Sequence, residues 1–154
     1  MITAQQRRKI VRNRVLGALA TAAAFAGVVG AAAAPASASS WITPEQVHSI
    51  TNPRTAVFKE TPAGTVQVRY GTYGGVQYGW GRVVNPAAGY DLMFEVDTDG
   101  DRKADTFSGD FNISGGGIHW TGGYPTSSSS KVAFRACITK QLTCAETTYR
   151  TAWW

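Results

Sequence analysis

Cysteine, histidine and charged residues are scarce in this chain of 154 residues. A zinc site would use clustered Cys and His ligands, but the two cysteines are expected to form a disulfide, which leaves only the histidines His48 and His119. The sequence also lacks a Gly-x-Ser-x-Gly motif, the turn that presents the nucleophile of many serine hydrolases. Glu95 and Asp97 could act as paired acids, but they lead into an acidic loop, which is usually exposed. We therefore expect a protein that is not an enzyme, with an unrecognised hydrolase as the alternative.

Residues 1–38 have the pattern of a secretory signal peptide. Five basic residues and no acid come first, an apolar run follows at residues 15–34, and Ala36-Ser37-Ala38 matches a cleavage site. A retained membrane anchor is the alternative, but the run is mostly alanine and glycine, which insert weakly. Arg7-Arg8 fits part of a twin-arginine signal, so the export route stays open. We predict that residues 1–38 are removed and that the protein is secreted and extracellular.

Cleavage of this signal would change the net charge of the protein. Five of the 15 Lys and Arg residues belong to the signal, so ten remain against ten Asp and Glu. The mature net charge is then close to zero, and the basic surface that nucleic acids or anionic lipids require is missing. We therefore expect no nucleic-acid partner, and no membrane association after cleavage.

Residues 64–154 have the pattern of a single all-β domain. Apolar and polar residues alternate over residues 65–70 and 76–82, and the intervening Gly74-Gly75 is typical of a two-residue hairpin turn. Further short strands are indicated at residues 90–96, 106–111, 118–121 and 132–138, and residues 144–153 are expected to pair back on the last of them. About seven strands with frequent turns predict a small antiparallel β-sandwich or barrel.

Residues 39–63 contain three prolines and little alternation, and they differ from the rest of the chain. The segment Thr43-Pro44-Glu45-Gln46 predicts a short helix with Thr43 as N-cap and Gln46 closing a capping box. Pro53 is expected to end this helix. The alternative is an extended arm that wraps the domain or docks on a partner.

Cys137 and Cys144 are separated by six residues. In an exported protein two such cysteines are expected to form a disulfide. The spacing fits a bridge across the two strands of one hairpin. Closing so short a loop stabilises the fold by about 2 kcal/mol in the chain-entropy treatment.

Four acids recur within a short segment, at Asp97, Asp99, Asp101 and Asp105. Alternating carboxylates on a curled loop can supply the oxygen ligands of calcium, and the segment resembles the D-x-D-G-D-G-x-x-D calcium loops of secreted proteins. Arg102 stands where such loops have glycine. A structural calcium ion is therefore one prediction. The alternative is an acidic turn at Asp99-Gly100 in which Asp97 faces Arg102 without a metal.

The chain is rich in aromatic residues, with five Trp, six Tyr and six Phe. Most are expected in the core, because a small β domain buries large area through each ring. Tyr73, Trp80, Trp120 and Tyr124 are the candidates for a surface that binds a protein or a sugar. The terminal Trp153-Trp154 cannot both lie on one face of a continuing strand.

Three segments, together with the two cysteines and the terminal tryptophans, resemble small secreted proteins of actinomycetes. These segments are residues 71–82, 94–101 and 124–130, and the resemblance covers most of residues 65–154. It implies export and a disulfide-containing β domain rich in aromatic residues and glycine, without implying an activity. In size, export and lack of an active site, the chain is also similar to adaptor subunits of secreted actinomycete antibacterial toxin particles.

Export, small size, near-zero net charge and aromatic richness favour a secreted, non-catalytic binding or accessory protein. Its partner is expected to be another extracellular macromolecule, preferably a protein, reached through residues 39–63 or an exposed edge strand. The alternatives are a carbohydrate or cell-wall binding module, an adaptor subunit of an antibacterial toxin particle, and a small hydrolase inhibitor that inserts the polar loop at residues 122–130.

Overall fold

The computed structural model describes residues 41–154, which belong to one compact unit. The expected signal peptide lies outside these residues. The elements are a one-turn helix α1 (Pro44–Val47), seven strands and a 3₁₀ turn (Cys144–Glu146). The strands are β1 (Thr51–Thr61), β2 (Gly64–Tyr73), β3 (Val76–Val84), β4 (Asp91–Asp97), β5 (Thr106–Asp110), β6 (Ile118–Pro125) and β7 (Ala133–Thr139). All strand pairs are antiparallel, so the all-β prediction is confirmed.

The strands form two separate sheets that pack as a sandwich. One sheet has the order β1-β2-β3-β6 and the other β5-β4-β7. Alternate residues of each sheet point inward, as the sequence alternation of β2, β3 and β7 predicts. The core between the sheets includes Val66, Val68, Val83, Leu92, Phe94, Val96, Phe134, Ala136 and Ile138, all of them buried. Of the two architectures expected, the sandwich is therefore the one formed.

The β2–β3 hairpin follows the sequence closely. Gly74 and Gly75 have φ values of +58° and +82°, the left-handed conformation that both central residues of a type I′ turn need. This turn sets a register in which Arg69 lies opposite Trp80. Directly paired residues share a face, so this hairpin places a basic and an aromatic side chain side by side on the outer face.

The central strand β4 is buried on both faces. Its outward-pointing Met93 packs against the disulfide between Cys137 and Cys144. The carboxylate of Glu95, also outward, accepts two N–H groups of Arg135 and the backbone N–H of Cys144. The loop closed by the disulfide therefore covers the outer face of the three-stranded sheet.

The predicted disulfide is confirmed, but its place in the fold differs from the expected one. Cys137 lies in β7 and Cys144 begins the 3₁₀ turn, so the bridge does not cross two strands of a hairpin. The Cys144 N–H donates to the Glu95 carboxylate of β4, so it takes no part in strand pairing. The chain instead turns, and residues 149–154 then pair along β7 through backbone hydrogen bonds, as expected for the C-terminal segment.

The short N-terminal helix has the predicted capping box. The Thr43 hydroxyl accepts from the Gln46 N–H, and the Gln46 side chain accepts from the Thr43 N–H. The helix ends at Val47, well before Pro53, and Pro53 lies within β1. Residues 51–61 are thus an edge strand of the four-stranded sheet, whereas the sequence predicted a short helix or an extended arm for residues 39–63. The strand is mostly exposed and has two irregular registers, which explains its weak alternation.

The N-terminal segment is held on β6 through a close backbone approach. Ile42 and Gly123 exchange two backbone hydrogen bonds. A Cβ atom on Gly122 would lie 2.7 Å from the Ile42 carbonyl oxygen, so glycine is needed for this contact. β6 also extends to Pro125, which shortens the polar loop that was expected to begin at residue 122. No helix among residues 41–154 is long and apolar enough to cross a membrane.

Candidate functional site

The outer face of the four-stranded sheet carries a groove of about 300 Å³ beside α1. Its residues share two properties: most are apolar or aromatic, and the polar ones are cationic or imidazole groups. They are Val47, His48, Ile50, Pro53, Arg69, Trp80, Arg82, Ile118 and Trp120. No carboxylate lines it. We call this feature the arginine–tryptophan groove.

Strand register assembles the groove from residues far apart in sequence. Arg69 of β2 pairs with Trp80 of β3, and Arg82 of β3 pairs with Trp120 of β6. These positions fall on one face because directly opposed residues of antiparallel strands point the same way. We use 'row' for residues that lie directly opposite one another on neighbouring strands. Two adjacent rows, one with Arg69 and Trp80 and one with Arg82 and Trp120, therefore each contribute one arginine and one tryptophan.

The two arginines are only partly satisfied by protein groups. Arg69 donates from Nη1 to Thr55 Oγ1 at 2.9 Å, and Arg82 donates from Nε to Gln67 Oε1 at 2.8 Å. The Nε of Arg69 is buried and has no hydrogen-bond partner. The ion pairs of residues 41–154 include neither arginine.

Burial and mutual repulsion affect the charge of these guanidinium groups. Burial lowers the pKa of Arg69, and the nearby positive charge of Arg82 lowers this pKa further. Burial also lowers the pKa of Arg82. Both groups remain cationic at neutral pH because an arginine pKa starts above 12. The groove is thus a positively charged site in which neither arginine has a carboxylate partner among residues 41–154.

The tryptophans form walls of the groove rather than flat open platforms. Trp80 is buried in a small cluster under α1. Trp120 donates from Nε1 to the Pro44 carbonyl oxygen, and the His48 ring packs against it edge to face at 4.1 Å between centroids. These contacts fix the Trp120 ring and occupy part of its surface.

The four aromatic residues singled out from the sequence do not form one surface. Trp80 and Trp120 line the groove. Tyr73 packs against Tyr78 in the cluster under α1, and its hydroxyl accepts from the Gln46 side chain. Tyr124 packs between the core and Trp41, whose ring centroid lies 5.1 Å away.

The terminal tryptophans lie on opposite sides of their segment, as the alternation requires. The Trp153 ring lies 4.4 Å from the Arg135 guanidinium carbon. Trp154 stacks on Tyr70 and contacts Phe134. Both therefore pack on the domain itself.

The acidic segment curls between β4 and β5 and brings three of its four predicted acids together. Carboxylate oxygens of Asp97, Asp99 and Asp105 lie within 4.8 Å of one another. Asp101 instead pairs with Lys103 at 3.0 Å. The cluster thus contains three of the oxygen donors that calcium would require, and calcium coordination needs six or more.

Protein groups already satisfy the buried member of this cluster. Asp97 accepts the backbone N–H groups of Asp99, Gly100 and Arg102, and the Arg102 guanidinium at 2.7 Å. Burial alone would raise the Asp97 pKa, but these donors, led by Arg102, outweigh it and lower the pKa from 3.8 to about 2. Arg102 supplies positive charge at the place where a calcium ion would, so the donor set fits the metal poorly. Calcium binding stays a prediction.

Arg102 adopts a backbone conformation that favours glycine, the residue that stands at this position of the D-x-D-G-D-G-x-x-D pattern. Its φ is +63°, in the left-handed region that side chains disfavour. In this conformation the Arg102 guanidinium donates to the Asp97 carboxylate. The pairing of Asp97 with Arg102 matches the alternative to calcium that the sequence suggested.

The candidate acids and histidines of an enzyme are engaged in structural contacts. Glu95 and Asp97 are buried and paired with Arg135 and Arg102. His119 Nδ1 lies 2.8 Å from Asp110 Oδ2 across two strands, a pair that the sequence gave no reason to single out. The absence of catalytic activity stays a prediction.

Two residues of the groove, Arg69 and Arg82, were not among the predicted site residues. The hairpin carried a signal for Arg69 alone, because a two-residue turn at Gly74-Gly75 fixes Arg69 opposite Trp80, whereas the place of Arg82 beside Trp120 depends on the pairing of β3 with β6. No protein-family model, curated protein or solved structure matches the chain. The resemblance to small secreted actinomycete proteins therefore stays a prediction.

Proposed function

We propose that this chain is an exported, non-catalytic binding protein that engages another extracellular protein through the outer face of its four-stranded sheet. The arginine–tryptophan groove is the observation that carries this proposal. Tryptophan and arginine are enriched at the energetically dominant centres of protein interfaces, where they combine apolar area with directed hydrogen bonds. The disulfide supports export, because such bonds persist in oxidising compartments.

The surroundings of the groove also suit a protein partner. Phe58 of β1 is 59% exposed and Ile118 of β6 is 48% exposed. Phe58 pairs with Gln67, which pairs with Arg82, so it extends the same row of the outer face. Aromatic side chains and arginine are among the residue types enriched at protein interfaces, and this face exposes both.

The carbohydrate alternative has less support from the geometry. A sugar stacks on an open aromatic face, whereas Trp80 is buried and Trp120 is partly covered by His48. Tyr73 shares a cluster with the two tryptophans but packs against Tyr78, and Tyr124 packs against the core between the sheets, so the four rings do not form one open platform.

Capture of proteins from the medium of the source cells tests the proposal. Tagged protein is compared with Ile118→Asp on the outer face and with Leu142→Asp, a control at a residue that is 86% exposed in the loop after β7. We expect the native chain and the control to retain the same protein in stoichiometric amount, and Ile118→Asp to lose it. Capture that is lost equally in both variants would contradict the proposal, as would retention on cell-wall polysaccharide without any protein.

A further inference from the structure

We infer that Arg69 and Arg82 form a carboxylate-binding site, and that the groove receives an acidic side chain of the partner protein together with an apolar neighbour. This inference rests on the proposed function and names the chemistry that the outer face recognises. Arg69 and Arg82 were not among the site residues predicted from the sequence.

The first argument is the incomplete hydrogen bonding of Arg69. Its Nε is buried without an acceptor, and a buried unsatisfied donor is costly and rare in folded proteins. Thr55 occupies Nη1. Within residues 41–154, Arg69 Nη2 and both Nη atoms of Arg82 also donate no hydrogen bond, and these are the atoms from which a ligand oxygen in the groove could accept. A carboxylate suits this role because its two oxygens match the planar fork of a guanidinium group.

The second argument is electrostatic. Arg69 and Arg82 repel each other, which is one reason that the pKa of Arg69 is lowered, after burial itself. An anion between them would relieve this repulsion and favour the charged form of both groups. Among residues 41–154, no carboxylate makes an ion pair with either arginine, neither Glu60 of β1 nor Glu45, whose charge acts on His48 at the side of the groove.

The third argument concerns what carries the carboxylate. The rest of the groove is apolar, with Val47, Ile50, Pro53 and Ile118 beside the tryptophans. A phosphate group would need further donors for its additional oxygens, and apolar walls do not supply them. An acidic residue next to an apolar one fits both parts of the groove. A volume of about 300 Å³ leaves room for a side chain rather than a large ligand.

A pair of peptides that differ only in charge tests the inference. N-acetyl-Asp-Phe-amide and N-acetyl-Asn-Phe-amide are titrated into the ¹⁵N-labelled protein, and the arginine Nε–H resonances are followed by NMR. Arg69→Gln and Arg82→Gln assign the two resonances. We expect the Asp peptide to shift them in a saturable way, and the Asn peptide to bind at least about tenfold more weakly because a charged hydrogen-bonded pair is lost.

Variants show whether the two arginines are responsible. Arg69→Gln and Arg82→Gln should each weaken binding of the Asp peptide by about tenfold or more, and Arg82→Lys should weaken it less because it keeps the charge. Arg54→Gln is the control, since Arg54 is an exposed arginine of β1 that does not line the groove. The backbone NMR spectrum reports whether each variant is folded, and the two peptides on the native chain give a result independent of any variant.

Three results would overturn the inference. They are equal binding of the two peptides, an equal loss in Arg54→Gln, and tighter binding of inorganic phosphate or glucuronate than of the Asp peptide. The capture experiment and the peptide titration distinguish a failure of the proposed function from a failure of the carboxylate site. A partner captured in an Ile118-dependent way but not displaced by the Asp peptide would leave the function standing and remove the carboxylate site. Binding of the Asp peptide without any captured protein would support the carboxylate site and contradict the proposed function.

Discussion

At the scale of single residues, the negative charge of Asp97 stabilises the loop between β4 and β5. It is fully buried and accepts three backbone N–H groups and the Arg102 guanidinium. We expect Asp97→Asn to lower the free energy of unfolding by about 2 kcal/mol or more, because it weakens charged hydrogen bonds and sets an amide N–H₂ against N–H donors. Urea unfolding measures this change.

Asp101→Asn is the matched control, because Asp101 is an exposed acid of the same loop that pairs with exposed Lys103. Exposed pairs contribute little, so its effect should stay within about 0.5 kcal/mol. Equal destabilisation by the two substitutions would mean that Asp97 does not organise the loop.

Asp97 should also shape the acid stability of the protein. Its pKa is about 2 in the folded chain against an ordinary value of 3.8. Because the folded value is the lower one, ionised Asp97 stabilises the fold above pH 3.8, and this stabilisation is lost as the pH falls from 3.8 to about 2. The stability difference between the native chain and Asp97→Asn should shrink over that range when followed by chemical unfolding at each pH. A constant difference would contradict the assignment.

Arg102 should lower the affinity of the acidic loop for calcium. Its guanidinium lies 2.7 Å from Asp97, and its φ of +63° favours glycine. Arg102→Gly removes the competing charge and relieves the backbone, so this variant should bind calcium more tightly than the native chain in a calorimetric titration. Equal affinities, or tighter binding by the native chain, would show that Arg102 does not compete with the ion.

At the residue scale, the sequence predicted pairs that are close along the chain. Asp97 and Arg102 are five residues apart, and local turn chemistry was enough to suggest their contact. The buried pair of Glu95 with Arg135 joins residues 40 apart, and it depends on the pairing of β4 with β7. Nothing in the pattern of a single strand specifies such a partner.

At the scale of elements, the disulfide-closed loop covers the outer face of β4. We expect Cys137→Ala with Cys144→Ala to cost about 2.5 kcal/mol, since a loop this short is closed and a buried cluster with Met93 is loosened. Hydrogen exchange should then become faster in residues 149–154, which pair along β7. The β2–β3 hairpin should stay protected, because it lies in the other sheet. Uniform loss of protection in both regions would contradict a local role.

The elements predicted best were those with one buried face and a recognisable turn. β2 and β3 meet both conditions: the Gly74-Gly75 turn formed as expected, and both strands contain the predicted segments but extend beyond them. β1 meets neither, because it is an exposed edge strand with irregular register and an internal Pro53. Such a strand is specified by its partner β2 rather than by its own alternation.

At the scale of the whole molecule, the sandwich depends on pairings that no local pattern encodes. β3 pairs with β6 and β4 with β7, across long stretches of intervening chain. The same pairings create the groove, since Arg82 meets Trp120 only when β6 joins the sheet. The sequence therefore showed the arginines and tryptophans, but it did not predict that they come together in one groove.

The central claim is that the outer face of the four-stranded sheet is the surface that engages a partner protein. Site-specific photo-crosslinking tests it most directly, with a benzophenone amino acid placed at residue 118 on that face or at residue 142 in the distant loop. After exposure to the medium of the source cells, we expect one covalent partner from residue 118 and none from residue 142. A partner that crosslinks equally from both positions, or only from residue 142, would contradict the claim.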